Sequence, residues 1–251
     1  MPKSAVGNPQ VGDLLGAIGG KTITGDSPGS DTFERSTTFV DHTFVKGQAD
    51  NCYPPATYTL SGNGPCPTGG IVPIGAVSRK THGAAGTFSI DLPLTGRPGI
   101  ECRTGGAAND YQVIITFASP VTVTNATATP GSGGTASVSG PPIVNSSEVT
   151  VNLTNVSNAQ TLAVNLLGVN DGQGHFGDVG IPMSVLIGDT TDNAIVNASD
   201  VGQTKAQSGQ NATSSNFRLD VTANGPINAA DVGLVKSKSG SSLPPASPGG
   251  K

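Results

Sequence analysis

Between residues 71 and 187 apolar side chains recur at every second position, in short runs broken by Gly, Pro, Asn or Asp. The alternation is strict in TFSIDLPL, where Phe88, Ile90, Leu92 and Leu94 share one parity. It is equally strict in EVTVNLT, where Val149, Val151 and Leu153 do. A period of two puts alternate side chains on one face of a strand. The runs IVPIGAVSRK, GTFSIDLPL, YQVIITFASPVTVTNATA, GTASVSG, EVTVNLTNV, QTLAVNLLGV and IPMSVLIGD predict about seven strands at the spacing of a two-sheet stack. Residues 33–48 add a further alternating stretch, with Phe39, Asp41, Thr43 and Val45 on one face and Val40, His42 and Phe44 on the other. Residues 1–30 carry scattered apolar positions among Gly, Pro and Ser. They are too few for a core and predict an arm or a donated strand that pairs with a sheet elsewhere.

The pattern changes at Gly188. Two helical segments, NASDVGQTKAQSG and NAADVGLVKSKSG, each open on Asn and close on Gly, which are helix start and stop signals. Each is the end of a longer repeat. GDTTDNAIVNASDV and LDVTANGPINAADV place Asp, Thr, Asn, Asn and Asp at the same offsets. Laid on a twelve-residue calcium loop, the first supplies Asp189, Thr191, Asn193, the Ile195 carbonyl, Asn197 and Asp200. The second supplies Asp220, Thr222, Asn224, the Pro226 carbonyl, Asn228 and Asp231. Alternate positions in a tight loop turn their oxygens toward one point, and the twelfth reaches back from the helix that follows. A hard cation takes six to eight such oxygens. Apolar Val196 and Ile227 at the eighth position pack one loop against the other.

This tandem pair resembles a type I dockerin, over residues 188–242. The resemblance implies two bound Ca²⁺ ions and a cohesin-like protein partner. It departs from the family at the third position, which is Thr in both loops, and at the sixth of the first loop, which is Ala194. The positions that help a dockerin read its partner are here Ala198–Ser199 and Ala229–Ala230. The segment carrying VSRKTHGAAGTFSIDLPLTGRPGIECR and DYQVIITFASPVTV is similar to the β-sandwich modules that precede dockerin-like repeats in secreted bacterial proteins. The predicted fold class is therefore mainly β: a β-sandwich of immunoglobulin-like architecture over 31–187, a small α dockerin-like module over 188–242 and a tail over 243–251. The Cys–Trp–Cys pattern of antibody domains is absent.

Composition narrows the function. Among 251 residues there are 36 Gly and 19 Pro, only 12% are charged and Trp is absent. That balance suits an extracellular or cell-surface β-protein. The net charge of -4 argues against nucleic acid, which needs a basic face. No apolar run reaches the length of a membrane span. Cys52 and Cys66 bracket a Pro- and Gly-bearing loop and are read as a disulfide, with Cys102 as the alternative to either partner. No CxxC occurs to suggest zinc.

No catalytic residues are predicted. His42, His82 and His175 stand outside any HExxH, and His82 falls in a turn. The GxGxxG of GQGHFG is followed by Gly180 and Pro182, not by the helix a dinucleotide site needs. Asp171 and Asp178 flank that loop and read as turn residues, with a further calcium site as the rival reading. Six sequons occur, at Asn125, Asn145, Asn152, Asn155, Asn197 and Asn211. Asn152 faces away from Val151 and Leu153 and is open to a glycan.

The sequence thus predicts a non-catalytic, calcium-binding extracellular structural protein. It self-assembles by strand addition into a head-to-tail filament or surface layer. The rivals are a dockerin-type anchor and a fragment of a carbohydrate-active enzyme. Loops that fold around metal predict that Asp189→Ala and Asp220→Ala lower the melting temperature only when calcium is present.

Overall fold

The computed structural model describes residues 70–245, together with the backbone of four two-residue strands nearer the N-terminus. The chain divides into two compact units, Met1–Gly70 and Ile71–Lys251. In the first, β1 (Gly16–Ala17) pairs antiparallel with β3 (Phe33–Glu34), and β2 (Ile23–Thr24) with β4 (Ala49–Asp50). Cys52, Cys66, His42 and the alternation beyond Glu34 lie outside the described residues.

The second unit is mainly β. Its elements are β5 (Gly75–Thr81), β6 (Thr87–Asp91), β7 (Gly99–Glu101), β8 (Tyr111–Thr116), β9 (Asn125–Thr129), β10 (Ser137–Val138), β11 (Ile143–Asn145), β12 (Glu148–Thr154), β13 (Gln160–Asn170) and β14 (Phe176–Val185). Two short helices follow, α1 (Ala198–Ala206) and α2 (Ala229–Lys238). The strands form two sheets. A six-stranded sheet runs β10-β12-β8-β5-β6, with β11 also paired to β12. A four-stranded sheet runs β7-β14-β13-β9. All these pairs are antiparallel except β14 with β7.

One core takes side chains from both sheets. Val113, Ile115, Val149, Val151 and Leu153 of the larger sheet join Leu162, Val164, Leu166, Ile181 and Met183 of the smaller. Burial along β12 alternates as the sequence predicts, and the opposite side of that strand carries Asn152, whose Oδ1 accepts from Gln112 Nε2 at 3.0 Å. Ile90 and Leu92 are buried, but Phe88 at the end of the same row is only half-buried and turns toward the C-terminal loops.

The run through residues 111–128, which reads as one strand, is two. β8 and β9 belong to different sheets. The break falls at Ser119–Pro120, where proline lacks the N–H a strand ladder requires. Here Phe117 and Val121 donate instead to the carbonyls of Ser147 and Ser146. The GQGHFG segment leads directly into β14, a strand. No helix among the described residues is long and apolar enough to cross a membrane.

A second, smaller core joins the C-terminal repeats to the sheets. Ile100 of β7 and Leu186 after β14 pack with Val196, Val221 and Val235, and partly buried Leu243 packs against them. The repeats therefore share buried apolar surface with the end of the four-stranded sheet.

Candidate metal centre

The two loops close in the same way. Asp189 Oδ1 accepts from Asn193 N at 3.0 Å and Oδ2 from Ala194 N at 2.8 Å. Asp220 repeats this with Asn224 N at 3.1 Å and Gly225 N at 2.7 Å. Each loop must curl tightly for its first carboxylate to reach the fifth and sixth amides. Gly225 meets this with φ of 107°, while Ala194 adopts φ of 71°, a region costly for a residue with a Cβ.

The twelfth residue does two jobs. Asp200 Oδ2 accepts from Asn197 N at 2.8 Å, and Asn197 Oδ1 accepts from Ser199 N at 2.7 Å. Asp231, Asn228 and Ala230 repeat that reciprocal cap at the start of α2. A cap of this kind stabilises a helix start by about 1 kcal/mol. The other oxygen of each carboxylate faces into its loop. Thr191 Oγ1 lies 2.9 Å from Asp200 Oδ1 and 3.4 Å from Asp189 Oδ1. Thr222 Oγ1 lies 2.8 Å from Asp231 Oδ1 and 3.3 Å from Asp220 Oδ1.

Two carboxylates and the hydroxyl between them thus meet at one point in each loop. Among the described residues no group of three or more His, Cys, Asp or Glu converges, so further donors here are hydroxyl, amide or carbonyl oxygens. Such a hard, all-oxygen set suits Ca²⁺ rather than a soft metal. Asn193 Oδ1 accepts from Ile195 N at 3.0 Å, Asn197 and Asn228 cap their helices, and Asn228 Nδ2 donates to the Pro226 carbonyl at 3.2 Å. Val196 and Ile227 are fully buried.

The repeats are crossed. The middle of the first loop pairs with the chain that follows α2: Val196 N donates to Ser241 O and Leu243 N to Ala194 O. The middle of the second pairs with the chain that follows α1: Ala212 N donates to Gly225 O and Ile227 N to Gln210 O.

The two loops differ in what lies behind them. Asp220 Oδ2 meets His82 Nδ1 at 2.8 Å, and both side chains are fully buried. His82 Nε2 lies 3.1 Å from Arg103 NH1. A guanidinium only donates, so Nε2 accepts and Nδ1 carries the proton that goes to Asp220. Arg103 in turn pairs with Glu101, with Nε 2.8 Å from Oε1 and NH2 2.6 Å from Oε2. Ser78 Oγ donates to Glu101 Oε2. Phe88 and Phe217 stack at 5.3 Å, and His82 stands edge-on to both. Behind the first loop, Arg218 donates to the carbonyls of Ile100 and Asp189, and Arg97 to that of Asp192.

These surroundings move the first carboxylates in opposite directions. Burial raises the Asp189 carboxyl above its ordinary value, and the Asn193 and Ala194 amides offset this only in part. Burial also acts to raise Asp220, but the His82 hydrogen bond and the Gly225 and Asn224 amides together hold it below the usual range.

The sequence did not reveal His82, Glu101 or Arg103 as parts of this neighbourhood. Only GIECR carried a sign: two opposite charges two positions apart, hence on one side of an extended chain. Cys102 between them is a free, fully buried thiol, not a partner in a described disulfide. Asp171 serves its own loop, accepting from Gln173 N and His175 N and pairing with His175 Nδ1 at 2.7 Å, while Asp178 accepts from Gly168 N. Comparison with protein-family models, curated proteins and solved structures finds no match to this chain.

Proposed function

We propose that this chain is a non-catalytic, calcium-binding structural protein of the extracellular space or cell surface. In this reading the two sheets are a β-sandwich of immunoglobulin-like architecture, and the C-terminal repeats are a dockerin-like module. The observation that carries it is the doubled convergence of Asp189, Thr191 and Asp200, and of Asp220, Thr222 and Asp231, with matching hydrogen bonds. Those residues would hold Ca²⁺ with help from Asn193, Asn224 and the Ile195 and Pro226 carbonyls. A bound ion would neutralise facing carboxylates and stiffen the end of the four-stranded sheet through the shared core. Self-assembly by strand addition is supported by β11, which pairs on one side with β12 and leaves Ile143 and Val144 exposed.

The test is calorimetric titration of chelator-treated protein with CaCl₂, followed by electron microscopy with and without the ion. Two bound ions per chain and filaments that loosen on chelation are expected. No calcium binding would sink the proposal, and single particles in both conditions would remove self-assembly from it. A second reading, anchoring to a cohesin-like protein, is favoured by one observation: Ala198, Ser199, Ala229 and Ala230 are all exposed on the first turns of the helices. Capture of a protein partner by single particles would support it.

A further inference from the structure

The turn after β5 is built around the second loop. A Cβ at Gly83 would overlap the carbonyl oxygen of Asn224, and one at Gly225 would come within 3.0 Å of the His82 carbonyl oxygen. Two backbones meet here, with no room for a side chain on Gly83 and only a tight fit for one on Gly225. Beside this contact His82 donates to Asp220, the residue that opens the second loop. The imidazole has no freedom to turn, because Arg103 holds Nε2 and two phenyl rings flank it.

The consequence lies in how Asp220 is aimed. Its Oδ2 accepts from both Gly225 N and His82 Nδ1, and its Oδ1 faces Thr222 and the carboxylate of Asp231. A carboxylate pinned on one oxygen by two donors presents the other in a fixed direction. Asp189 lacks the second pin: its Oδ2 accepts from Ala194 N alone. Groups that hold a ligand from behind set its orientation, and their loss costs about 10- to 100-fold in metal affinity.

We infer that His82, with Gly83 beside it, is a positioning residue for the second calcium site, so that a turn of the six-stranded sheet completes a loop 138 residues away. The inference rests on the calcium reading above. The two sites are then unequal by construction: the second is coupled to the fold of the sheets and the first is not coupled in this way.

The test is calorimetric titration of the full-length protein with CaCl₂ in an Asp189→Ala background, which leaves the second loop to titrate. His82→Gln should weaken binding about tenfold or more. His82→Asn, whose amide N–H replaces Nδ1–H, should recover most of the loss. In an Asp220→Ala background, where only the first loop titrates, His82→Gln should have no effect. A folded His82→Gln protein that binds like its parent overturns the inference, as does equal weakening of both loops. If His82→Gln fails to fold, Gly83→Ala probes the same contact, and unchanged affinity in that variant overturns it equally. Calcium binding by the parent with no response to these substitutions defeats this inference alone, whereas no binding by the unmodified protein defeats the calcium reading and this inference together.

Discussion

His82 Nδ1 stands 2.8 Å from Asp220 Oδ2, with both side chains buried. Asp220→Ala would leave that N–H without an acceptor, a cost of about 1–3 kcal/mol. Asp189→Ala orphans no such group. In calcium-free buffer both variants should be less stable than the parent, because each carboxylate closes its loop through two amides. Asp220→Ala should be the less stable of the two. This revises the expectation, drawn from the sequence, of an effect only when calcium is present. Urea denaturation in chelator measures it, and equal losses would count against the asymmetry.

Acid should weaken the chain through Glu101. Burial works against its charge, but the Arg103 ion pair, with bonds from Ser78 and the Arg103 amide, holds its carboxyl below the ordinary value of 4.5. A folded pKa below the unfolded one gives stability that is fully present above the unfolded value. That stability is lost as pH falls through the folded one. Melting temperature without calcium should therefore drop on acidification below about pH 4.5. Glu101→Gln should cost about 3–5 kcal/mol at neutral pH by leaving Arg103 buried and unpaired, and it should flatten the acid limb.

Cys102 should be inert while the protein is folded. Burial pushes its thiol up to about 11, and only the thiolate is nucleophilic. Iodoacetamide at pH 8 should leave Cys102 unmodified by peptide mass spectrometry until denaturant is added. Labelling of the native chain at the rate of a free thiol would show that this region opens.

Ending the chain after Gly240 should affect the first loop before the second. The lost residues include Ser241, which accepts from Val196, and Leu243, which donates to Ala194 and fills the smaller core. Calcium titration of the truncated protein should show one site weakened and the other kept. Loss of both would mean that the loops fail together.

The sheets were legible where burial follows strand parity. Val149, Val151 and Leu153 are all buried, as their alternation says. The twin loops were legible because their oxygen-bearing residues recur at a fixed offset, a local signal. Strand β10 falls within the GTASVSG run that reads as a strand, whereas the short strands β7 and β11 were not legible, since three residues carry no measurable period. Nor was the role of His82, whose partner is fixed by tertiary packing rather than by spacing. The break between β8 and β9 was readable from Pro120, but the apolar run around it outweighed the breaker.

The crossed pairing in the C-terminal region has a consequence for how it can be cut. The stretch that follows α1 braces the second loop, and the stretch that follows α2 braces the first. Neither repeat contains its own brace. A chain with just one copy could complete its loop only by borrowing from a neighbour, as an interlocked pair of molecules. Doubling the repeat within one chain makes that exchange internal, and it turns two half-built motifs into a single object that assembles as a whole.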